Sequence, residues 1–411
     1  MSKTRSDSWA ANKSSVNDMQ LRTRKKRGFD KTEALLPLIK PHATLAMKAM
    51  DAVGLLSYLG RRNPLPRPVA PGDVVWMLDN VAHKSAKNGW QAEFISAVFE
   101  KEAKCAVMDV VQAIARIIGL ADDAEERATI EERLMPFLWD LRAGRRFTAV
   151  HGDKKVVLGP TDSGGIASDM VRLPRSSPGS IARTTGKVPE GVTGVLQSWT
   201  YFAGPEGWSV ISDVDDTIKV TQTSDPISIL RETFVSEPRA IRGMPELYAG
   251  LKAMLPHDTP WFYVSASPYN LYPFLREFRN THFPPGALML REASWRTIAG
   301  LLSALTSGTE EYKVERLTKI HSWFPKRKMI LIGDSTQSDP EAYGEACRLF
   351  PGWVKCILIR KALDEEAVGI DEKNEPKRFE EAFKGVPKEV WHVFEEPEEC
   401  SKILRDLTKD H

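Results

Sequence analysis

The chain has 411 residues, enough for two or three domains and a full apolar core. Its 57 basic and 55 acidic side chains leave a net charge of +2, which excludes a global attraction to nucleic acid. Apolar residues make up 42% and charged residues 27%, the proportions of an ordinary globular protein. Cys105, Cys347, Cys356 and Cys400 show no paired spacing, which argues against a zinc site or disulfide scaffold and suits a reducing compartment. The start, Met1 to Asp7, has no apolar segment after its basic residues and does not read as a secretory signal. No apolar run approaches the roughly 20 residues of a membrane span.

Residues 1–32 are polar and predict a disordered tail, with a basic cluster at Arg22, Arg24, Lys25, Lys26 and Arg27. That cluster is a solvated tail, an attraction for anionic lipid or a nuclear address. Residues 33–72 predict a helix over 42–60, with a broad apolar stripe, and then a Pro-rich linker. Residues 73–204 predict an accessory domain, mixed α/β or β-rich. Strands are expected over 74–79 and 90–99, helices near 104–119 and 122–141, and a hairpin at 147–150 and 155–158. The Gly-, Ser-, Thr- and Pro-rich stretch 160–192 predicts irregular backbone, and 195–203 another strand. Asp79, His83 and His151 stand alone and read as structural or exposed.

From residue 205 to the end the texture is strand, loop, helix, repeated. Trp261–Val264, Met329–Ile332 and Cys356–Ile359 are short and wholly apolar, as strands buried on both faces must be. Helical patterns near 245–255, 270–280, 310–323 and 339–348 separate them. The alternation predicts an α/β domain with a doubly wound parallel sheet.

The polar residues after these strands carry the chemistry. Asp213, Asp215 and Thr217 follow the strand ending at Ile211. Ser265 and Ser267 follow Val264, and Gly333, Asp334 and Asp339 follow Ile332. Lys313 lies on a predicted helix. In a parallel sheet these strand ends meet at one edge, where ligands bind. Carboxylates that close repel one another and call for a hard cation, for which Mg²⁺ is the usual choice. An Asp can also act as a nucleophile towards phosphorus.

The four motifs, in this order, resemble those of the haloacid dehalogenase-like phosphatases: Asp213-Val214-Asp215-Asp216-Thr217, Ser265, Lys313 and Gly333-Asp334…Asp339. The longer runs 212–219, 263–272 and 332–340 resemble the catalytic domain of the actin-patch-associated phosphatidate phosphatases of fungi and their bacterial relatives. The lipins share this chemistry more distantly. The resemblance covers roughly 205–400. It implies a haloacid dehalogenase-like fold, with Asp213 as nucleophile and Asp215 as acid and base. It implies phosphate binding by Ser265 and Lys313, with Thr217 beside them or bracing the loop. It also implies Mg²⁺ held at Asp213, Asp215 (through its main-chain carbonyl) and Asp334, with Asp339 orienting a metal water or Lys313. Asp216 is expected to organise the loop or cap a helix, and Ser267 and Asn270 either to serve the site or to cap the following helix. Arg231, Arg242 and Arg291 are expected in surface pairs, with reading of a phospholipid headgroup as the alternative.

The implied substrate is phosphatidic acid in a membrane, met by a cytoplasmic, peripherally associated enzyme. SH3 or actin-patch partners follow only from the family, and no Pro-rich tail of the recruiting sort is evident. Two alternatives stand beside this reading. One is the same mechanism on another phosphomonoester; the other is a non-catalytic phosphatidic acid sensor, against which the presence of both Asp213 and Asp215 argues.

Overall fold

The apolar runs of the second half form the middle of a parallel sheet. The computed structural model describes residues 18–37, 59–85, 87, 89–103, 107–120, 123–291, 298–363 and 370–409. The first half contributes helices α1 (18–26) and α2 (Phe29–Leu35), then strands β1 (Asp73–Met77), β2 (Asn80–Lys84) and β3 (Trp90–Ala103). Helices α3 (Val107–Ile117) and α4 (Ala124–Leu138) follow, then β4 (Arg145–His151), β5 (Lys154–Leu158), β6 (Ile166–Arg172), β7 (Ile181–Lys187) and β8 (Gln197–Phe202). With three short strands these form a mixed, 11-stranded sheet.

The second half begins with β9 (Trp208–Asp213), α5 (Pro226–Phe234), α6 (Met244–Met254), β10 (Trp261–Pro268), α7 (Tyr272–His282) and β11 (Ala287–Arg291). It continues with α8 (Ile298–Thr306), α9 (Thr309–Trp323), β12 (Lys328–Asp334), α10 (Asp339–Leu349) and β13 (Val354–Arg360). Helices α11 (Ile370–Asn374) and α12 (Pro376–Ala382), strand β14 (Trp391–Phe394) and helix α13 (Cys400–Thr408) complete it. The sheet has six strands in the order β11-β10-β9-β12-β13-β14, all parallel.

Alternate residues of each strand point to opposite faces. Val210, Tyr263, Ile330 and Leu358 join a core with α5, α6, α7 and α8. Ile211, Phe262, Leu331 and Ile357 join another with α9, α10 and α12. Helices therefore cover both faces, which is why these strands are apolar throughout rather than alternating.

Two expectations are corrected. Residues 18–35 are helical and packed, not a free tail. Phe29 is fully buried in the core of the second half, and Arg24 reaches the Leu302 carbonyl, the Thr306 hydroxyl and Glu33. These distant contacts supply what local composition lacks. The stretch 160–192 contains β6 and β7. Both are edge-rich in polar residues, so backbone pairing with β3, β4 and β8 defines them, not an apolar period. The expected helix over 42–60 lies almost wholly outside the described residues.

The two halves share a core rather than meeting at a wet seam. Val110, Ile114, Leu134 and Phe137 pack in the cluster that holds Ile229, Leu230 and Phe234. Phe137 meets Phe234 edge-on at 5.5 Å, and Arg133 and Arg231 donate across to Ser236 and Ile118 carbonyls. The seam is pinned by Asp79. Its fully buried carboxylate accepts from Arg276 at 3.0 Å, from Arg279 at 2.8 Å and from the Trp199 amide at 2.8 Å. His83 is also structural. It stacks on Trp323, and burial pushes its pKa down to about 4. His151 bonds Thr184 at 2.8 Å.

Removing one member of a buried ion pair leaves the other uncompensated and costs about 3–5 kcal/mol. Asp79→Ala, which strands Arg279, is expected to destabilise both halves by that amount. Denaturant unfolding followed by tryptophan fluorescence and far-UV circular dichroism should show one shared transition, shifted downward.

Candidate active site

The carboxyl ends of β9, β10 and β12 converge on one buried cluster. Asp213 is the last residue of β9, and Asp334 the last of β12. Asp339 opens α10, and Lys313 lies one turn into α9. The Lys313 ammonium sits 2.8 Å from Asp213 Oδ1 and 2.6 Å from Asp339 Oδ1, and donates to Gln337 at 3.2 Å. Lys313 and all three aspartates are 0–1% exposed.

One ammonium does not neutralise three carboxylates. At an effective dielectric near 20, each like-charged pair at this range costs about 3 kcal/mol. Burial, with Asp339 close by, raises the Asp213 pKa well above the carboxylate range. Burial, with Asp334 adding to it, raises that of Asp339 to about 6. Burial opposes the Lys313 charge, but Asp213 and Asp339 outweigh it and raise its pKa.

Thr217 shows where the deficit lies. Its hydroxyl is 3.2 Å from Asp213 Oδ2 and 2.9 Å from Asp334 Oδ2. A hydroxyl has one proton, so it satisfies only one of these oxygens. Asp213, Asp334 and Asp339 each bring an oxygen within 4.8 Å of the others. An all-oxygen donor set with surplus negative charge fits a hard divalent cation. Thr217, grouped with the phosphate ligands from sequence, thus acts here on carboxylates.

Asp215 faces another way. Its Oδ2 accepts from Ser265 at 2.6 Å and Ser267 at 3.0 Å, and its Oδ1 from Thr221 at 2.9 Å. Its side chain is therefore not part of the carboxylate trio. Asp216 holds the loop in place, as expected. Its carboxylate accepts from the Thr221, Gln222 and Thr223 amides at 2.7–2.9 Å, with its own φ at 61°. Asn270, expected as a helix cap, instead donates to the Pro136 carbonyl of α4 at 2.7 Å. Arg231 and Arg291 donate to backbone carbonyls rather than pairing with acids.

Sequence reasoning missed Thr221, Lys219 and Lys373. Lys219 is buried beside Asp215, donates to the Val220 carbonyl and Thr221, and has its pKa lowered by burial. Lys373 reaches Ser224 at 3.1 Å and is lowered to about 8, again by burial. Lys219 had one available signal: a lysine two residues past an acidic loop motif. Lys373 had none, because α11 joins the site only through tertiary packing.

Residues 208–361 match the family model described as phosphatidate phosphatase APP1, catalytic domain. This segment is similar to that catalytic domain. A stretch of 162 residues is 35% identical to phosphatidate phosphatase APP1 of Saccharomyces cerevisiae, covering 39% of this chain and 27% of that protein. Another, of 160 residues, is 27% identical to an uncharacterised protein of Schizosaccharomyces pombe, covering 39% of this chain and 26% of the relative. The chain thus aligns with about a quarter of each relative's length. The matched segment runs from β9 to β13 and so contains Asp213, Asp215, Ser265, Lys313, Asp334 and Asp339.

Gly333 makes the cluster possible. A Cβ there would lie 2.6 Å from the Asp339 side chain. Gly333→Ala is expected to displace that carboxylate and Lys313 with it. A misplacement near 1 Å costs about 100-fold in rate. Hydrolysis of an aryl phosphate should fall by that order while the near-ultraviolet circular dichroism keeps its native form.

Proposed function

We propose that this chain is a Mg²⁺-dependent phosphatidate phosphatase with a haloacid dehalogenase-like catalytic domain. It would release diacylglycerol and phosphate through an aspartyl phosphate. The pairing of Asp213 with Asp215 supports the mechanism; the relative's name supports the substrate. Asp213 Oδ1 lies 2.8 Å from the Lys313 ammonium, which would orient it towards a bound phosphoryl group.

In the first half-reaction, Asp213 Oδ1 attacks phosphorus as the bond to the diacylglycerol oxygen breaks. Asp215 donates its proton to that oxygen, so the leaving group departs as an alcohol. In the second, Asp215 takes a proton from a water that attacks the same phosphorus, and Asp213 is regenerated with release of phosphate. The three hydroxyls around Asp215 suit a carboxyl that changes protonation state, because each can donate or accept. Lys313 and Ser265 would hold phosphoryl oxygens, with Lys313 as a point charge. Mg²⁺ would be held by Asp213, Asp334 and the main-chain carbonyl of Asp215, and would offset charge on the phosphoryl oxygens. Asp339 fixes Lys313, and its other oxygen accepts the Asp334 amide at 3.1 Å.

Among the described residues, no helix is long and apolar enough to cross a membrane. A peripheral, cytoplasmic encounter with the bilayer is part of this proposal and rests on the membrane-borne substrate.

Phosphate release from phosphatidic acid in detergent micelles should require Mg²⁺ and stop with EDTA. Asp213→Asn should abolish it, and Asp215→Asn should lower it by about 100- to 10,000-fold. Turnover of an aryl phosphate without turnover of the lipid would keep the mechanism and remove the substrate. Lipid binding without turnover of either would favour a sensor.

A further inference from the structure

The carboxylates of the site are closed to solvent, and the basic segment 18–35 bonds to residues next to them. Gln20 Nε2 donates to Thr309 Oγ1 at 3.0 Å, and that hydroxyl shares a 2.7 Å hydrogen bond with Ser338, the residue before Asp339. Arg22 pairs with Glu372 at 3.0 Å, next to the buried Lys373. Arg24 is fixed to α8 through the Leu302 carbonyl. Through these contacts α1 spans α8, α9 and α11 at the edge where the strands end.

The outward face has a different chemistry. Leu21, Arg22, Lys25 and Lys26 are exposed at helical spacing, while Thr23 and Arg24 are buried. On α2, Lys31 and Leu35 are exposed one turn apart. Leu35 and Leu21, 68% and 60% exposed, are the two most exposed large apolar side chains among the described residues. Within residues 18–35, four exposed bases outnumber the exposed acids Asp18 and Asp30. Two bare leucines among lysines are unfavourable against water. They suit a surface with anionic head groups above hydrocarbon.

We infer that the outward face of residues 18–35 is a docking surface for an anionic lipid bilayer, placed over the mouth of the candidate active site. Its purpose rests on the phosphatidate reading; its physics does not. Docking there would bring the strand-end edge against the bilayer. It would also set lipid head groups in competition with Glu372 for Arg22 and Lys26, which lies 4.0 Å from the same carboxylate.

The test is flotation of the whole chain with phosphatidylcholine vesicles, with and without phosphatidylserine, an anionic lipid that is not a phosphomonoester. Each basic residue near such a surface contributes about a fivefold gain in partitioning. Lys25→Gln/Lys26→Gln/Lys31→Gln should therefore lose on the order of 100-fold on the anionic vesicles. Leu21→Ala/Leu35→Ala should lose about tenfold. Both variants should hydrolyse a soluble aryl phosphate like the parent, because none of these side chains belongs to the catalytic cluster. Undiminished vesicle binding in the lysine variant would overturn the inference. So would a loss in the lysine variant but none in the leucine variant, since the face would then read polyanions and not bilayers. Vesicle binding as expected, with no phosphatase activity in the parent, would leave the surface standing and remove the phosphatase reading alone.

Discussion

Three buried aspartates around one buried lysine are the constraint on which the site depends. Burial makes every unpaired charge costly, and Lys313 can face only two of the three. The third, Asp334, leans on the Thr217 hydroxyl, which it shares with Asp213. Everything nearby serves to hold this frustrated arrangement. Gly333 makes room for Asp339, and the Asp334 amide anchors it. Thr336 donates its amide to Asp334 at 2.5 Å. A cluster that repels itself in this way is a poor structural device but fits a cation, because the cation supplies the charge that the protein withholds.

The different surroundings of Asp213 and Asp215 follow from where β9 ends. Two residues apart near the end of β9, they leave the sheet in similar directions but meet different walls. Asp213 meets Lys313 and the other carboxylates. Asp215, just past the strand, meets the hydroxyls of Ser265, Ser267 and Thr221. Two chemically identical groups thus have an ionic and a hydroxylic environment.

Much of the catalytic half was legible in the sequence. Apolar runs such as Met329–Ile332 have few alternatives to a doubly covered strand, and the polar residues after them can only gather at the sheet's edge. What was not legible depends on contacts distant in sequence. Strand β7 has one buried residue in seven, so pairing and not periodicity defines it. Residues 18–35 read as a tail by composition, yet Phe29 and Arg24 find a core some 280 residues away. Asp79 looked isolated because its partners Arg276 and Arg279 lie on a helix of the other half. Nor could composition show that α3 and α4, within residues 73–204, share a core with α5.

The central claim is that the trio Asp213, Asp334 and Asp339 carries a charge deficit that a divalent cation relieves. A ligand that binds only the folded state raises its stability by about 2.7 kcal/mol at a concentration 100 times its dissociation constant. The most direct measurement is the thermal unfolding midpoint of the parent and of Asp334→Asn, each with Mg²⁺ and with EDTA. The account predicts that Mg²⁺ raises the midpoint of the parent by several degrees and leaves that of Asp334→Asn nearly unmoved. Equal midpoints for the parent with and without Mg²⁺ would contradict it.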